Sequence, residues 1–157
     1  MNKINLYSLK KEDFKKIADK LNNDPDVNKF VRFYDYETAV GIFYNNQLVG
    51  LFSLNRFINN SLAIHIAILK EFRNKGIGSK VLNKIVEDYG ITYSEVEFFT
   101  VNINYKNKTA IDFVNKLGWN NTHKYDEIMD NEGSEFFIIY EKGNPYYHRK
   151  VKSYDTK

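Results

Sequence analysis

Cysteine is absent from this sequence of 157 residues, and histidine, proline and tryptophan are rare, with 3, 2 and 1 copies. Without cysteine the chain has no disulfide, no thiolate metal ligand and no cysteine nucleophile. The three histidines, His65, His123 and His148, are scattered along the chain. They do not have the spacing of a zinc site, so we expect no metal.

Long apolar runs are also missing. No stretch approaches the ~20 residues that a helix needs to cross a bilayer, and the opening residues "MNKINLYSLKKEDF" lack the apolar core of a signal peptide. These absences predict a cytoplasmic protein with no membrane partner. The net charge is only +3, from 23 basic and 20 acidic residues, which does not favour a nucleic-acid partner.

Hydrophobic residues make up 43% of the chain, as in an ordinary globular protein. We expect one domain over residues 1–145, followed by a basic, flexible tail over residues 146–157. The pattern begins with a strand, "INLYSL", and a helix, "KKEDFKKIADKLNN", with Ser8 as its expected N-cap and Pro25 beyond its end. One face of this helix is apolar at Phe14, Ile17, Ala18 and Leu21.

The rest of the chain alternates between strand and helix patterns. A hairpin surrounds the turn "YNNQ", and "SLAIHIAILK" is apolar on both faces, as in a covered strand. The helix "SKVLNKIVEDYG" should end at Gly90, and "NKTAIDFVNKLGW" should end at Gly118 after the strand "EVEFFTVNI". A closing hairpin is expected between Trp119 and Glu141. The pattern as a whole indicates a mixed α/β fold.

A basic glycine turn separates the covered strand from the helix after it. The segment "KEFRNKGIGSKV" holds Arg73 and Lys75 just before Gly76 and Gly78. Unpaired N–H groups and the helix dipole make a helix N-terminus a site for anions, and glycine lets the backbone approach the ligand. Neither a P-loop nor a dinucleotide fingerprint fits, because Ser79 and Lys80 stand in the wrong order and Val81 replaces the third glycine.

The spacing R-x-x-G-x-G, from Arg73 to Gly78, resembles the acetyl-CoA signature of the GNAT N-acetyltransferases. Downstream, "NKTAIDFVNKLGW" is similar to the second motif of that family, with Asn107, Ala110 and Lys116 in the matching places before Gly118. Asn107 and Gly118 are equally explained as the N-cap and the stop of a helix. The likeness covers roughly residues 3 to 141 and implies a mixed sheet of six to seven strands with helices on both faces.

The resemblance also implies acetyl-CoA as the co-substrate and a primary amine as the acceptor. Family members grip the CoA pyrophosphate with backbone amides of the glycine turn and hold the pantetheine arm on a strand splayed from the next one. With no cysteine, an acyl-cysteine intermediate cannot form, so direct transfer in a ternary complex is expected. The implied cofactor-binding residues are Ile66, Ala67, Ile68, Arg73, Asn74, Lys75, Gly76, Ile77, Gly78, Ser79 and Asn107.

The catalytic residues stay open. Many family members carry a tyrosine acid where this chain has Val114, and a glutamate base near the position of Asn102, with Glu97 well displaced. His65 titrates near neutrality and is a candidate, but strand alternation places it on the face opposite to the isoleucines, which favours a structural histidine. Further candidates that the sequence does not rank are Tyr105, Tyr125 and Tyr140.

Competing functions are a CoA-binding module without efficient catalysis and, less favoured by the charge, acetylation of charged tRNA. The acceptor is undefined among small amines, peptide N-termini and lysine side chains. The segment that shapes the acceptor site in the family carries acidic residues that either attract a cationic amine or are simply solvated; they are Asp24, Asp26, Asp35 and Glu37. A homodimer is one possibility, since many relatives dimerise.

Overall fold

The computed structural model describes residues 3–28, 31–57, 60–130 and 133–147. Among these residues no helix is both long and apolar enough to span a membrane. The described part of the chain forms seven strands and four α-helices. In chain order they are β1 (Ile4–Tyr7), α1 (Lys11–Asn22), α2 (Pro25–Asn28), β2 (Ala39–Tyr44), β3 (Gln47–Phe57), β4 (Ser61–Ile68), α3 (Ile77–Thr92), β5 (Phe98–Asn104), α4 (Lys108–Lys116), β6 (Asn120–Asp130) and β7 (Gly133–Gly143).

The strands form one sheet in the order β1-β2-β3-β4-β5-β7-β6. Pairing is antiparallel from β1 through β3, parallel between β4 and β5, and antiparallel again from β5 through β7 to β6. The expected mixed α/β sheet is therefore confirmed, with seven strands. The chain divides into two compact units, the first from Met1–Leu54 and Ile64–Lys84 and the second from Asn55–Ala63 and Ile85–Lys157.

The core of the first unit forms around α1. The predicted apolar face of this helix is buried together with Leu9, Leu51 and Ala67. The predicted cap is wrong: the N-cap position is Lys10, which makes no capping bond with its side chain, and Ser8 lies outside the helix. The β2–β3 hairpin turns at Asn45 and Asn46, with φ of 50° and 68°, because asparagine tolerates the left-handed conformation that a tight hairpin requires.

In the second unit, α3 continues two residues past Gly90 to Thr92, so the predicted stop is wrong. The glycine serves a packing role instead, because a Cβ there would lie 2.5 Å from Oδ1 of Asn144. The Asn144 amide donates to the carbonyl oxygens of Gly90, Tyr93 and Val96 at 3.1, 3.2 and 2.9 Å. This one side chain thus donates to a carbonyl in the last turn of α3 and to two carbonyls in the segment that follows the helix.

Gly118 does end α4, as predicted. The helix stops at Lys116, and Gly118 takes a φ of 82°. The Trp119 N–H donates to the Val114 carbonyl at 3.1 Å, and the tryptophan side chain is buried just beyond the helix. This is the usual way in which a glycine in the left-handed conformation closes a helix. The expected hairpin from Trp119 to Glu141 is confirmed as β6 and β7.

Candidate functional site

The basic glycine turn lies between the end of β4 and the start of α3. Asn74 and Gly76 both adopt left-handed φ values, 62° and 77°. No atom lies within 4 Å of the position that a Cβ on Gly76 would take, so the turn is open on that side. Ile77 fixes the start of the helix, because its side chain is only 2% exposed. The buried side chain of Ile77 thus holds the start of the helix directly after an exposed stretch of backbone.

The N–H groups of this turn have no acceptor in the part of the chain that the structure describes. The first bond of α3 joins the N–H of Lys80 to the carbonyl of Gly76 at 3.4 Å. No hydrogen bond joins the N–H groups of residues 74 to 79 to any other residue within the ranges that the structure describes. Six consecutive donors, with the exposed side chains of Lys75 and Lys80 beside them, form a concentrated positive electrostatic potential at a helix N-terminus.

Arg73 is engaged within the protein. Its Nε donates to the Ile68 carbonyl at 2.9 Å, and its Nη2 donates to Asp24 Oδ2 at 2.7 Å. The side chains of Arg73 and Asp24 are 25% and 15% exposed. Hydrogen bonding from Arg73 is the main reason why the pKa of Asp24 lies below its ordinary value, followed by the backbone N–H of Asp26. Arg73 therefore fastens the turn to the segment between α1 and α2.

Strand β4 offers an open edge beyond its first residues. Its parallel pairing with β5 covers only Ser61, Leu62 and Ala63, although the strand continues to Ile68. The Leu69 N–H donates to Val49 on β3 at 2.8 Å. Because N–H and C=O directions alternate along a strand, the main-chain groups of Ile66 and Ile68 point to the opposite, open edge.

Ala67 is the third residue predicted to bind the cofactor on this strand, and its main-chain groups point in the opposite direction to those of its neighbours. A Cβ on Gly50 of β3 would collide with the Ala67 carbonyl oxygen, so the main-chain groups of Ala67 face β3. The Ile68 carbonyl accepts the bond from Arg73 Nε. The groups on the open edge that remain without a protein partner in the described ranges are the Ile66 N–H, the Ile66 carbonyl and the Ile68 N–H.

Asn107 caps α4. Its Oδ1 accepts the Ala110 N–H at 3.2 Å, and its own N–H donates to the Asn104 carbonyl at 2.8 Å. This confirms the explanation of Asn107 as a helix cap. The amide Nδ2 has no hydrogen-bond partner among the described residues, so the predicted role in binding the cofactor stays a prediction.

The candidate catalytic side chains lie in different environments. Val114, at the place of the family's tyrosine acid, is 2% exposed and belongs to the core. Tyr140 is also buried at 2%, whereas Tyr105 and Tyr125 are 41% and 58% exposed. His65 is half-buried, and burial lowers its pKa from the ordinary 6.5.

The acids of the predicted acceptor segment have structural partners as well. Asp24 is paired with Arg73, and Asp26 lies at 3.9 Å from the same guanidinium. The Asp35 carboxylate accepts the Glu37 N–H at 2.9 Å and caps a short 3-10 helix. Only Glu37 has neither an ion pair nor a side-chain hydrogen bond among the described residues. These contacts reduce the negative charge that the segment offers to a ligand.

A polar cluster lies on the face of β5, β7 and β6, and no local sequence pattern predicts it. The Asn102 Nδ2 donates to Asp126 Oδ2 on β6 at 2.8 Å. Two buried atoms in the cluster, Asn102 Oδ1 and Thr100 Oγ1, have no hydrogen-bond partner among the described residues. Strand alternation alone predicts that Thr100 and Asn102 share a face, but the partner 24 residues away depends on the register of three strands.

Metal-ligating side chains do not gather anywhere in the described ranges. No group of three or more histidine, aspartate or glutamate residues there has the geometry to hold a metal ion. The expectation of no metal stays a prediction for the chain as a whole.

Comparison with protein-family models gives one match. The model of the acetyltransferase (GNAT) family matches residues 4–119, which include β1 through α4 and both predicted motifs. A comparison with curated proteins found no match.

Solved structures with the same fold cover nearly the whole chain. A spermidine N-acetyltransferase from Vibrio cholerae, in complex with CoA and spermine, is 17% identical with a TM-score of 0.73 and covers 92% of this chain and 97% of its own. The ribosomal-protein-S18-alanine N-acetyltransferase from Escherichia coli is 15% identical, with a TM-score of 0.67 and coverages of 99% and 100%. An acetyltransferase (GNAT family) from Bacillus anthracis is 14% identical, with a TM-score of 0.74 and coverages of 90% and 95%.

Proposed function

Because the chain belongs to the GNAT family of acetyltransferases, we propose that it transfers the acetyl group of acetyl-CoA to a primary amine by direct attack in a ternary complex. The observation that carries this proposal is the glycine turn, where six consecutive N–H donors, without an acceptor among the described residues, precede and open α3. A pyrophosphate supplies the acceptors that such a turn requires. The proposal includes the assignment of residues 1–145 to one acetyltransferase domain and a cytoplasmic location.

The pyrophosphate is held by the backbone of residues 74 to 79 in this proposal. The exposed Lys75 adds a charge, while Arg73 acts by holding the turn in place through Asp24 and Ile68. Gly76 is required because its φ of 77° and its open side let the phosphate approach the main chain. The side chain of Ile77 serves as the anchor, and Gly78 and Ser79 contribute N–H groups.

The pantetheine arm pairs with the open edge of β4. Its amides are extended and carry one donor and one acceptor each, so they match the Ile66 N–H, the Ile66 carbonyl and the Ile68 N–H. One of these N–H groups is available to donate to the thioester oxygen as it becomes an oxyanion. Ala67 lies between the two isoleucines, so their main-chain groups point to the same edge of the strand.

The reaction forms a C–N bond and breaks the C–S bond of the thioester. The neutral amine attacks the carbonyl carbon, a proton leaves the nitrogen, and CoA leaves as a thiolate that takes up a proton. For an alkylamine with a pKa of ~10.4, being neutral at pH 7 costs about 4.6 kcal/mol, so a base or a desolvated site should help. With Val114 in place of the tyrosine acid, water carries the proton to the thiolate in this proposal.

The second candidate function is a CoA-binding module without efficient catalysis. The buried Val114 favours it, since no proton donor occupies that place. Release of free thiol from acetyl-CoA in the presence of an amine panel separates the two functions, and the absence of cysteine means that the protein itself contributes no thiol. The panel should include a polyamine and an alanine-initiated peptide, the acceptor types that appear in the names of two similar structures. Thiol release above the amine-free rate supports the enzyme, and binding without release supports the module.

A further inference from the structure

Strand β3 carries a bulge beside the end of β4. In the pairing of β2 with β3 the register shifts between Ile42 and Phe43, which leaves Val49 as an extra residue on β3. An extra residue of this kind bends its strand and turns the neighbouring groups in a new direction. The Val49 carbonyl accepts the N–H of Leu69, the residue directly after β4, at 2.8 Å. The bulge is therefore tied to the end of the strand that carries the open edge.

Gly50 follows the bulge and lies against the backbone of β4. A side chain normally stands roughly perpendicular to its sheet, but a Cβ on Gly50 would point toward the neighbouring strand. It would collide with the Ala67 carbonyl oxygen and would lie 3.2 Å from the Ile68 Cα. These two neighbours are main-chain atoms, so they cannot rotate away as the end of a side chain can. A residue larger than glycine at this position must therefore displace the backbone of β3 or β4.

We propose that Gly50 is a positioning residue for acetyl transfer. With the bulge beside it, Gly50 sets the place of the open edge of β4, where the N–H groups of Ile66 and Ile68 receive the pantetheine arm. This inference rests on the proposed function, in which one of these N–H groups donates to the thioester oxygen. Because Ala67 lies between the two isoleucines, a displacement of its carbonyl moves both donors. A misplacement of about 1 Å can slow an enzymatic reaction about 100-fold.

Two binding probes test the inference. Acetyl-CoA reaches both the glycine turn and the edge of β4 in the proposed function, whereas 3′-phospho-ADP, the nucleotide part of CoA, has no pantetheine arm. Gly50→Ala should raise the Kd for acetyl-CoA about tenfold in calorimetry and change the Kd for 3′-phospho-ADP less than twofold. With an amine that the parent acetylates, its kcat at saturating acetyl-CoA should fall at least tenfold. A general loss of structure would weaken the binding of both probes, so the contrast between them identifies the positioning role.

Gly41→Ala is the matched control. Gly41 lies on β2 in the same unit, and a Cβ there would also be crowded, but its nearest atoms belong to the Leu9 side chain, at 2.7 and 2.9 Å. The substitution therefore adds the same methyl group without a contact to β4. It should lower the Tm of the protein and change the Kd for each probe less than twofold.

Leu69→Pro loosens the same attachment without adding volume at Gly50. It removes the N–H that donates to Val49, and the φ of Leu69, −57°, is one that proline adopts. This variant should show the same contrast between the two probes, and it decides the test if Gly50→Ala does not fold. An unchanged Kd for acetyl-CoA, or equal losses for both probes, would overturn the inference and leave the proposed function standing. A parent protein that binds neither probe would overturn the proposed function and the inference with it.

Discussion

Arg73 and Asp24 are joined by a 2.7 Å hydrogen bond between guanidinium and carboxylate, although 49 residues separate them in the chain. The bond links the glycine turn to the segment between α1 and α2, within the first unit. Since Arg73 also donates to the Ile68 carbonyl, one side chain holds three segments together. The arginine of the R-x-x-G-x-G spacing therefore orders the turn, and in the proposed function the backbone amides remain for the phosphate.

The stability of this pair should depend on pH. The pKa of Asp24 in the folded protein lies below 3.8, so its contribution is complete above pH 3.8 and is lost as the pH falls through the folded value. Asp24→Asn should lower the free energy of unfolding at pH 7 by about 1–2 kcal/mol. In urea titrations the difference from the parent should be the same at pH 7 and pH 5 and should shrink at pH 3 and below.

Asp26→Asn provides the control for that experiment. Asp26 lies in the same segment, but its side chain is 74% exposed and 3.9 Å from the guanidinium. Exposed pairs of this kind contribute little, so its free energy of unfolding should stay within about 0.5 kcal/mol of the parent. Equal losses in the two variants would show that the bond between Arg73 and Asp24 does not stabilise the turn.

Asn107 caps α4 in the structure, and the predictions also give it a contact with the cofactor. Two substitutions test these two roles separately. Asn107→Ala removes the bond to the Ala110 N–H and should cost about 1 kcal/mol of stability. Asn107→Asp keeps a capping oxygen but replaces the amide donor by a negative oxygen. It should therefore retain stability while raising the Kd for acetyl-CoA at least tenfold, as calorimetry can measure. An unchanged Kd would reduce Asn107 to a helix cap.

His65 should behave as a structural residue. Burial lowers its pKa below 6.5, so the unfolded chain binds the extra proton first as the pH falls. The contribution of His65 to the free energy of unfolding should therefore be complete above pH 6.5. It should decrease as the pH falls toward the pKa of His65 in the folded protein. His65→Gln should flatten this part of the stability profile and leave kcat/KM for acetyl transfer within threefold. A hundredfold loss of kcat with unchanged Kd for acetyl-CoA would instead make His65 catalytic.

Gly90 should resist substitution although it does not end its helix. A Cβ at this position would lie 2.5 Å from Asn144 Oδ1 and 3.0 Å from the Tyr146 ring. Gly90→Ala should therefore destabilise the protein by about 1–3 kcal/mol, despite the better helix propensity of alanine. Gly143→Ala is the control, because no atom lies within 4 Å of its Cβ position. If Gly90→Ala raises the Tm, the packing of Asn144 against α3 is wrong.

Local patterns predicted the elements well because each depends on neighbouring residues. The spacing of Phe14 and Leu21 specifies a helix face, and the asparagines at 45 and 46 specify a hairpin turn. The glycine at 118 specifies a helix end. All three depend on short-range geometry. The glycine turn was found for the same reason, since strand, glycines and helix follow one another directly.

The features that sequence reasoning got wrong or missed depend on contacts between residues that lie far apart in the chain. Gly90 looked like a helix stop because the sequence does not show that Asn144, 54 residues later, packs against it. The face with Asn102 and Asp126 requires the register of β5, β7 and β6, which no local pattern specifies. The roles predicted for the cofactor residues stay predictions, with the free N–H groups and the open edge of β4 in their support.

The central claim is that acetyl-CoA binds the backbone of the glycine turn, and thermal unfolding with and without the ligand tests it most directly. At 100 times its Kd, acetyl-CoA should stabilise the parent by about 2.7 kcal/mol, which is several degrees. Gly76→Glu should abolish the shift. Gly118→Glu should keep it, since Gly118 has a similar φ, 82° against 77°, and both variants carry the same backbone strain and charge. A folded parent whose Tm does not respond to acetyl-CoA, or an equal response in Gly76→Glu, would contradict the account.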